Sequence, residues 1–216
     1  RYAPFAANHV MPRFGVIEAN GHALYYRLTP PAAPEGKHPT IVYVYGGPGA
    51  QKVRRDWGTL LVQMFAQQGY GVLELDNRGS ANRGRLFEAG LYKRMGSIEV
   101  DDQVLGLSVL THEPWADLDR VGVFGHSYGG YMSLMCLCQA GKHFKAGVAV
   151  APVADWQLYD SHYTERFMGL PDKDAEAYAA SSVIPHLPKL ERPLLLMHGM
   201  ADDNVLFTHS TLLMSA

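Results

Sequence analysis

Short, predominantly apolar runs separated by stretches of helical spacing limit this chain more than any other feature. Residues 40–45, 70–76, 121–125, 146–150 and 194–197 are such runs. A strand with one wet face alternates apolar and polar residues. A strand without that alternation is covered on both faces, which is the condition of a parallel sheet flanked by helices. The intervening segments supply the helices. Residues 57–68 place Leu60, Leu61, Met64 and Phe65 at helical spacing and stop at Gly69. Residues 98–112 repeat Val100, Val104, Leu107 and Leu110 on one side, and residues 128–140 read as a third helix. Ahead of them, residues 14–28 are two alternating segments around Asn20-Gly21, a hairpin signal. A Pro-rich connection over residues 29–39 joins this hairpin to the rest. The class is α/β with a mostly parallel sheet.

Composition narrows the function. The 216 residues are 47% hydrophobic and 19% charged, which is enough for a single packed domain and excludes disorder. Nineteen basic and 21 acidic residues leave a formal charge of -2, so no basic surplus points to nucleic acid. The longest apolar stretch, residues 146–154, falls far short of the roughly 20 residues of a membrane-spanning helix. Cys136 and Cys138 stand two apart and form no disulfide framework, and they leave the compartment open. The chain starts at Arg1 with no signal-peptide pattern and stops at Met214-Ser215-Ala216 inside a helical stretch. A piece of a larger protein is the expectation.

Gly125-His126-Ser127-Tyr128-Gly129 is a G-x-S-x-G pattern between an apolar run and a helix. In a sharp strand-to-helix turn the serine backbone is strained, and side chains at the flanking glycines would collide with neighbouring elements. The competing reading is an ordinary helix N-cap serine; the strand before and the helix after favour Ser127 as a nucleophile. In the order such sites follow, an acid comes after a later strand. Residues 194–197 run into a Gly-broken loop with Asp202 and Asp203; Asp202 is the expected acid, and Asp203 or Asn204 could cap the following segment. An EF-hand reading of that loop lacks the required Gly and Glu. The Gly46-Gly47-Pro48-Gly49 loop is no phosphate cradle, since Lys52 lies between Gln51 and Val53 and the P-loop pattern fails. No histidine spacing calls for a metal, and nothing calls for a cofactor.

The longer motifs carry a resemblance. Tyr45-Gly46-Gly47-Pro48, Asp76-Asn77-Arg78-Gly79, Glu99-Val100-Asp101-Asp102-Gln103, the elbow, and His198 through Val205 resemble the prolyl oligopeptidase family of serine peptidases. Ala151-Pro152-Val153 and residues 159–171 resemble its dipeptidyl peptidase IV branch. The resemblance implies an α/β-hydrolase domain over residues 14–216, with residues 1–13 leading in from a missing N-terminal β-propeller. It implies release of X-Pro or X-Ala dipeptides from peptide N-termini, and a homodimer with part of its interface here.

By the same resemblance Ser127 is the nucleophile and Asp202 its acid. The Tyr45 hydroxyl and the Tyr128 backbone N–H form the oxyanion hole. Tyr128, Val153, Trp156, Tyr159, Tyr163 and Val205 line a pocket for a proline ring, and Asn204 holds a substrate carbonyl. Trp156, Tyr159 and Tyr163 fall at i, i+3 and i+7, so a helix there would present all three on one face. Two departures stand out. His126 occupies a position where the branch usually has Trp, and adjacency in the elbow points it away from Ser127. The catalytic His of the family follows the acid by a further helix and strand; His209 is the one histidine after Asp202 and lies too early. The expectation is a domain lacking its last strand and helix, with an exposed sheet edge, and nearly inactive alone. The alternatives are an acylaminoacyl peptidase or esterase on the same fold, or a non-catalytic binding module.

Overall fold

The computed structural model describes residues 3–19 and 21–216. Strand β1 (Arg13–Ala19) and β2 (His22–Thr29) form the hairpin, and β3 (His38–Val44) follows. Then come α1 (Leu60–Gln67), β4 (Gly71–Leu75), the short α2 (Arg85–Glu88), α3 (Ile98–Gly106) and β5 (Ala116–His126). The remainder is α4 (Tyr128–Ala140), β6 (Ala146–Val150), α5 (Ser161–Met168), α6 (Ala175–Ser181), β7 (Leu194–Met197) and α7 (Thr208–Ser215). One seven-stranded sheet runs β1-β2-β4-β3-β5-β6-β7. Its β4, β3, β5, β6 and β7 are parallel, and the hairpin adds antiparallel strands at the β4 edge.

The hairpin closes with Ala19 opposite His22, and Gly21 adopts φ +75°. Its other turn residue, Asn20, lies outside the described residues. Helix α1 starts at Leu60 rather than at residue 57. Gly58 takes a left-handed φ of +68°, and the Thr59 hydroxyl accepts from the Val62 N–H at 3.4 Å, which sets the cap there. The α-helical geometry of the 98–112 segment ends at Gly106. A 3-10 stretch, Leu107–His112, continues it and keeps Val109 and Leu110 in the core. Strand β5 begins earlier than its apolar run, because Ala116 pairs with His38 before the register slips to Thr40–Val121.

Helix α4 is the centre of the molecule. Tyr131, Met132, Leu134, Met135, Cys136 and Leu137 are all essentially sealed from solvent and pack with Val42, Val44, Val123 and Ala149 of the sheet. Cys136 and Cys138 are free and buried, and burial pushes both thiols up, Cys138 to about 11, so they stay protonated and inert. On the outermost strand β7, Leu195 and Met197 are exposed. Beside α1, Ile41, Phe65, Tyr70, Phe124 and Val148 line an apolar groove of about 440 Å³, away from Ser127.

Candidate active site

The parallel strands β3, β5, β6 and β7 bring four chain reversals to one end of the sheet, and every site residue read from the sequence lies in or just after them. Ser127 sits between β5 and α4 with φ 60° and ψ -121°, a conformation few L-residues adopt, and its N–H donates to Val150 O at 2.9 Å. The flanking glycines are required by space. A Cβ at Gly125 would overlap the Gly129 carbonyl oxygen, one at Gly129 would overlap that of Val44, and one at Gly130 would lie 2.7 Å from Val150 O. The Ser127 side chain makes no cap hydrogen bond to α4, so the N-cap alternative does not describe it.

Tyr45 follows the last residue of β3. Its phenol is raised by burial, an effect countered by a hydrogen bond with the Ser127 side chain. Tyr128 is the first residue of α4, where a backbone N–H has no intrahelical acceptor. Gly47 fits between the two tyrosines: a Cβ there would stand 2.8 Å from Tyr128 Cγ and 3.0 Å from Tyr45 Cε1. Tyr45 and Tyr128 thus flank Ser127, with their ring centroids 6.1 Å apart.

Trp156, Tyr159 and Tyr163 do not share a helix. Trp156 begins a 3-10 turn, Trp156–Leu158; Tyr159 is extended, and Asp160 caps α5 by accepting from Tyr163 N–H at 2.8 Å. The side chain of Asp155 caps the first turn in the same way, so two caps interrupt what the spacing alone reads as continuous. The rings nevertheless converge. Trp156 lies 5.3 Å from Tyr128, 6.0 Å from Tyr159 and 6.2 Å from Tyr163, with the last pair stacked at 23°. Val153 and Val205 are buried beside them.

The loop after β7 closes on this cup. Asp202 Oδ1 accepts from the N–H groups of Asn204 and Val205, each at 3.0 Å, and the Tyr159 hydroxyl donates to Asn204 Oδ1 at 2.9 Å. Asp202 therefore caps its own loop with one oxygen, and its Oδ2 approaches His198 Nε2 only at 3.6 Å. His198 is occupied at both ring nitrogens, by Ser210 Oγ and Val205 O, each at 2.7 Å. His209 is buried, with Nδ1 accepting from Ala154 N–H at 3.1 Å. His126 is exposed.

Sequence reasoning assigned no role to Glu99, which is fully buried and meets this site from below. Its carboxylate accepts from the N–H groups of Gly96 and Ser97 and from the Tyr128 hydroxyl, the last at 2.8 Å. Burial pushes Glu99 up to about 7, against the three hydrogen bonds that favour its ionised form. The groups whose charge it meets are Tyr128, Tyr131, Tyr163, Cys136 and Arg78. The sequence signal was a polar pair, Asp102 and Gln103, at i+3 and i+4 from Glu99 beside an apolar stripe.

The raised carboxyl has a consequence for stability. The folded chain holds this proton at pH values where the unfolded chain, with a value of 4.5, has released it. Its stabilising effect is complete below pH 4.5 and is lost as pH rises through about 7. Relative to Glu99→Gln, the full-length protein should lose on the order of 3 kcal/mol across that interval, read from denaturant midpoints at several pH values. A difference independent of pH contradicts this.

The fold is that of an α/β-hydrolase, with the strained turn at Ser127 beside a cluster of aromatic rings. The Prolyl oligopeptidase family model matches residues 58–216, and the chain belongs to that family. It is 42% identical over 211 residues to dipeptidyl peptidase 8 of Homo sapiens, covering 94% of this chain and 24% of the relative. Dipeptidyl peptidase 4 of Trichophyton equinum is 37% identical over 193 residues, covering 87% and 25%. The crystal structure of Porphyromonas gingivalis dipeptidyl peptidase 4 matches at TM-score 0.87 and 36% identity, covering 96% of this chain and 30% of that one. The chain spans about a quarter of the length of the curated relatives it matches.

Proposed function

We propose that this chain is the catalytic domain of a serine peptidase that releases X-Pro and X-Ala dipeptides from peptide N-termini through an acyl-enzyme on Ser127. The observation that carries the reading is the strained backbone of Ser127 between β5 and α4, next to Tyr45 and to the rings of Tyr128, Trp156, Tyr159 and Tyr163. Flat walls formed by Trp156, Tyr159 and Tyr163, with Val153 and Val205 behind, suit a compact apolar ring and exclude long side chains. The names of the dipeptidyl peptidase relatives support the release of dipeptides.

The reaction runs in two halves. A histidine base takes the Ser127 Oγ proton as Oγ bonds to the scissile carbonyl carbon, and the C=O π pair moves to oxygen. The Tyr45 hydroxyl and Tyr128 N–H donate to that oxyanion. Its collapse restores C=O and breaks C–N, and the proton passes to the leaving amine. Water then attacks the ester with the same proton relay, which releases the dipeptide acid and returns the hydroxyl to Ser127. Asp202 orients the base: Oδ1 is locked by two backbone N–H groups, which leaves Oδ2 for the imidazole. In this reading His198 is not the base, since both its ring nitrogens are committed to other partners, and His209 Nδ1 is likewise taken by the Ala154 N–H. Asn204 would hold a substrate carbonyl.

The domain organisation follows the same line. In this reading residues 1–13 lead in from a preceding β-propeller, which would grip the substrate amino terminus. A homodimer completes the reading, and sedimentation of the full-length protein as a monomer would remove that part.

The test compares Gly-Pro-p-nitroanilide with an acetyl ester on the full-length protein. Preference for the Gly-Pro amide supports the reading; preference for the ester supports an acylaminoacyl peptidase or esterase, and inertness toward both supports a binding module. Tyr45→Phe should lower kcat about 10²–10³-fold with little change in KM, as expected for an oxyanion donor. Residues 1–216 expressed alone should show no measurable turnover.

A further inference from the structure

One set of buried polar side chains takes no part in the chemistry above. Glu99, Asp102 and Gln103 stand at i, i+3 and i+4 of α3, hence on one face. All three are essentially without solvent exposure. Polar groups are rarely buried without partners, because each loses its water, so their partners indicate what the face is for.

Together they reach two chain reversals at the end of the sheet, Glu99 the one after β5 and Asp102 and Gln103 the one after β4. Glu99 accepts from the Tyr128 hydroxyl at 2.8 Å and is itself gripped by Gly96 and Ser97. Gln103 Nε2 donates to Asn77 Oδ1 at 2.8 Å, and Asn77 Nδ2 donates to Gly46 O at 3.0 Å. Asp102 accepts the Arg78 N–H at 2.8 Å and pairs with its guanidinium through both oxygens, at 2.7 Å and 2.9 Å. Asn77 and Arg78 follow β4; Gly46 is the residue after Tyr45.

The loop has little room to drift. Gly46 adopts φ +79°, and a Cβ there would lie 3.0 Å from Met132 Cγ and 3.2 Å from Asn77 Oδ1. The Tyr45 side is therefore held to α3 through Gln103, Asn77 and Gly46, and the Tyr128 side through Glu99 alone.

We propose that the buried face of α3 formed by Glu99, Asp102 and Gln103 is a positioning unit that sets the spacing between the Tyr45 hydroxyl and the Tyr128 N–H. The inference rests on the reading of these two groups as the oxyanion donors. Both must reach one oxygen at hydrogen-bonding distance at the same instant, and that oxygen carries its charge only as the bond to Ser127 forms. Ground-state binding in the aromatic cup does not depend on the spacing. Disturbing α3 therefore lowers kcat and spares KM.

The test uses Gln103→Met in the full-length protein, which removes the amide at similar volume. Active protein is counted by stoichiometric labelling of Ser127 with a fluorophosphonate, so that loss of folded enzyme is not read as loss of rate. The expected result is a fall in kcat for Gly-Pro-p-nitroanilide of about tenfold per labelled site, with KM within about twofold. In a Tyr45→Phe background the same substitution should cost less than about threefold, because the donor it aims is gone. For Gln103→Met a merely structural role would give equal factors in both backgrounds, and that outcome overturns the proposal, as does a rise in KM with kcat intact. Glu99→Gln is the second variant, aimed at Tyr128. Its factor should persist in the Tyr45→Phe background, because it acts on the other donor; a Glu99→Gln factor that disappears together with the Tyr45 hydroxyl also overturns the proposal. A wild-type protein that neither labels at Ser127 nor cleaves the amide would bring down the catalytic reading itself, and this one with it.

Discussion

Ser127→Ala should reduce Gly-Pro-amide turnover by four or more orders of magnitude without unfolding the protein. In the proposed reaction this hydroxyl is the attacking group, and loss of a nucleophile leaves only what oxyanion donors and binding supply. Folding should be spared, because the Ser127 side chain caps nothing in α4, and the left-handed backbone there is as strained for Ser as for Ala. KM should change little, since the cup is built from other residues. Release of p-nitroaniline by the variant measures this directly. Retention of more than about 1% of wild-type turnover would place the nucleophile elsewhere.

Gly129→Ala should be among the most destabilising single substitutions in the molecule. The added methyl would run into the Val44 carbonyl oxygen, and its next neighbours are also backbone atoms of Val44 and Tyr45. Side chains can rotate aside, but the end of β3 cannot, because Val44 is paired to Gly125 of β5 and the strand just before it is held by β4 as well. Overpacking against backbone at such a point should cost at least about 3 kcal/mol, the upper part of the usual range. Gly199→Ala is the control: a Cβ there meets nothing within 4 Å, and the variant should be neutral. Denaturant midpoints of the two full-length variants separate the outcomes. Equal midpoints would mean that the elbow yields, and that its glycines are not there for space.

These two predictions draw on features that differ in how openly the sequence displays them. The elbow is local. Its strand, turn and helix are consecutive, and helix α4 runs over Tyr128–Ala140 as its apolar content indicates. The same is true of β6 and β7, whose short apolar runs have no alternative partner but a sheet. The aromatic cup was legible as composition and not as geometry. The spacing of Trp156, Tyr159 and Tyr163 fits a helix, yet the caps of Asp155 and Asp160 divide the segment, and the rings meet through a turn instead. A capping side chain competes with the helix for the same backbone N–H groups, and spacing rules do not weigh that competition.

By itself, the sequence determined the α/β class, the position of the nucleophile elbow and the loop that carries Asp202. Each depends on neighbours along the chain, through hydrophobic period, glycine at strained backbone, and strand-end chemistry. Only the tertiary structure decided that Tyr45 reaches Ser127, that Tyr159 ties the Asn204 loop to the cup, that Glu99 meets Tyr128 and that Gln103 meets Asn77. Those contacts join residues separated by 26 to 82 positions in sequence. They form because a parallel sheet brings the ends of strands remote in sequence to one edge, where side chains meet whose spacing along the chain carries no trace of the encounter.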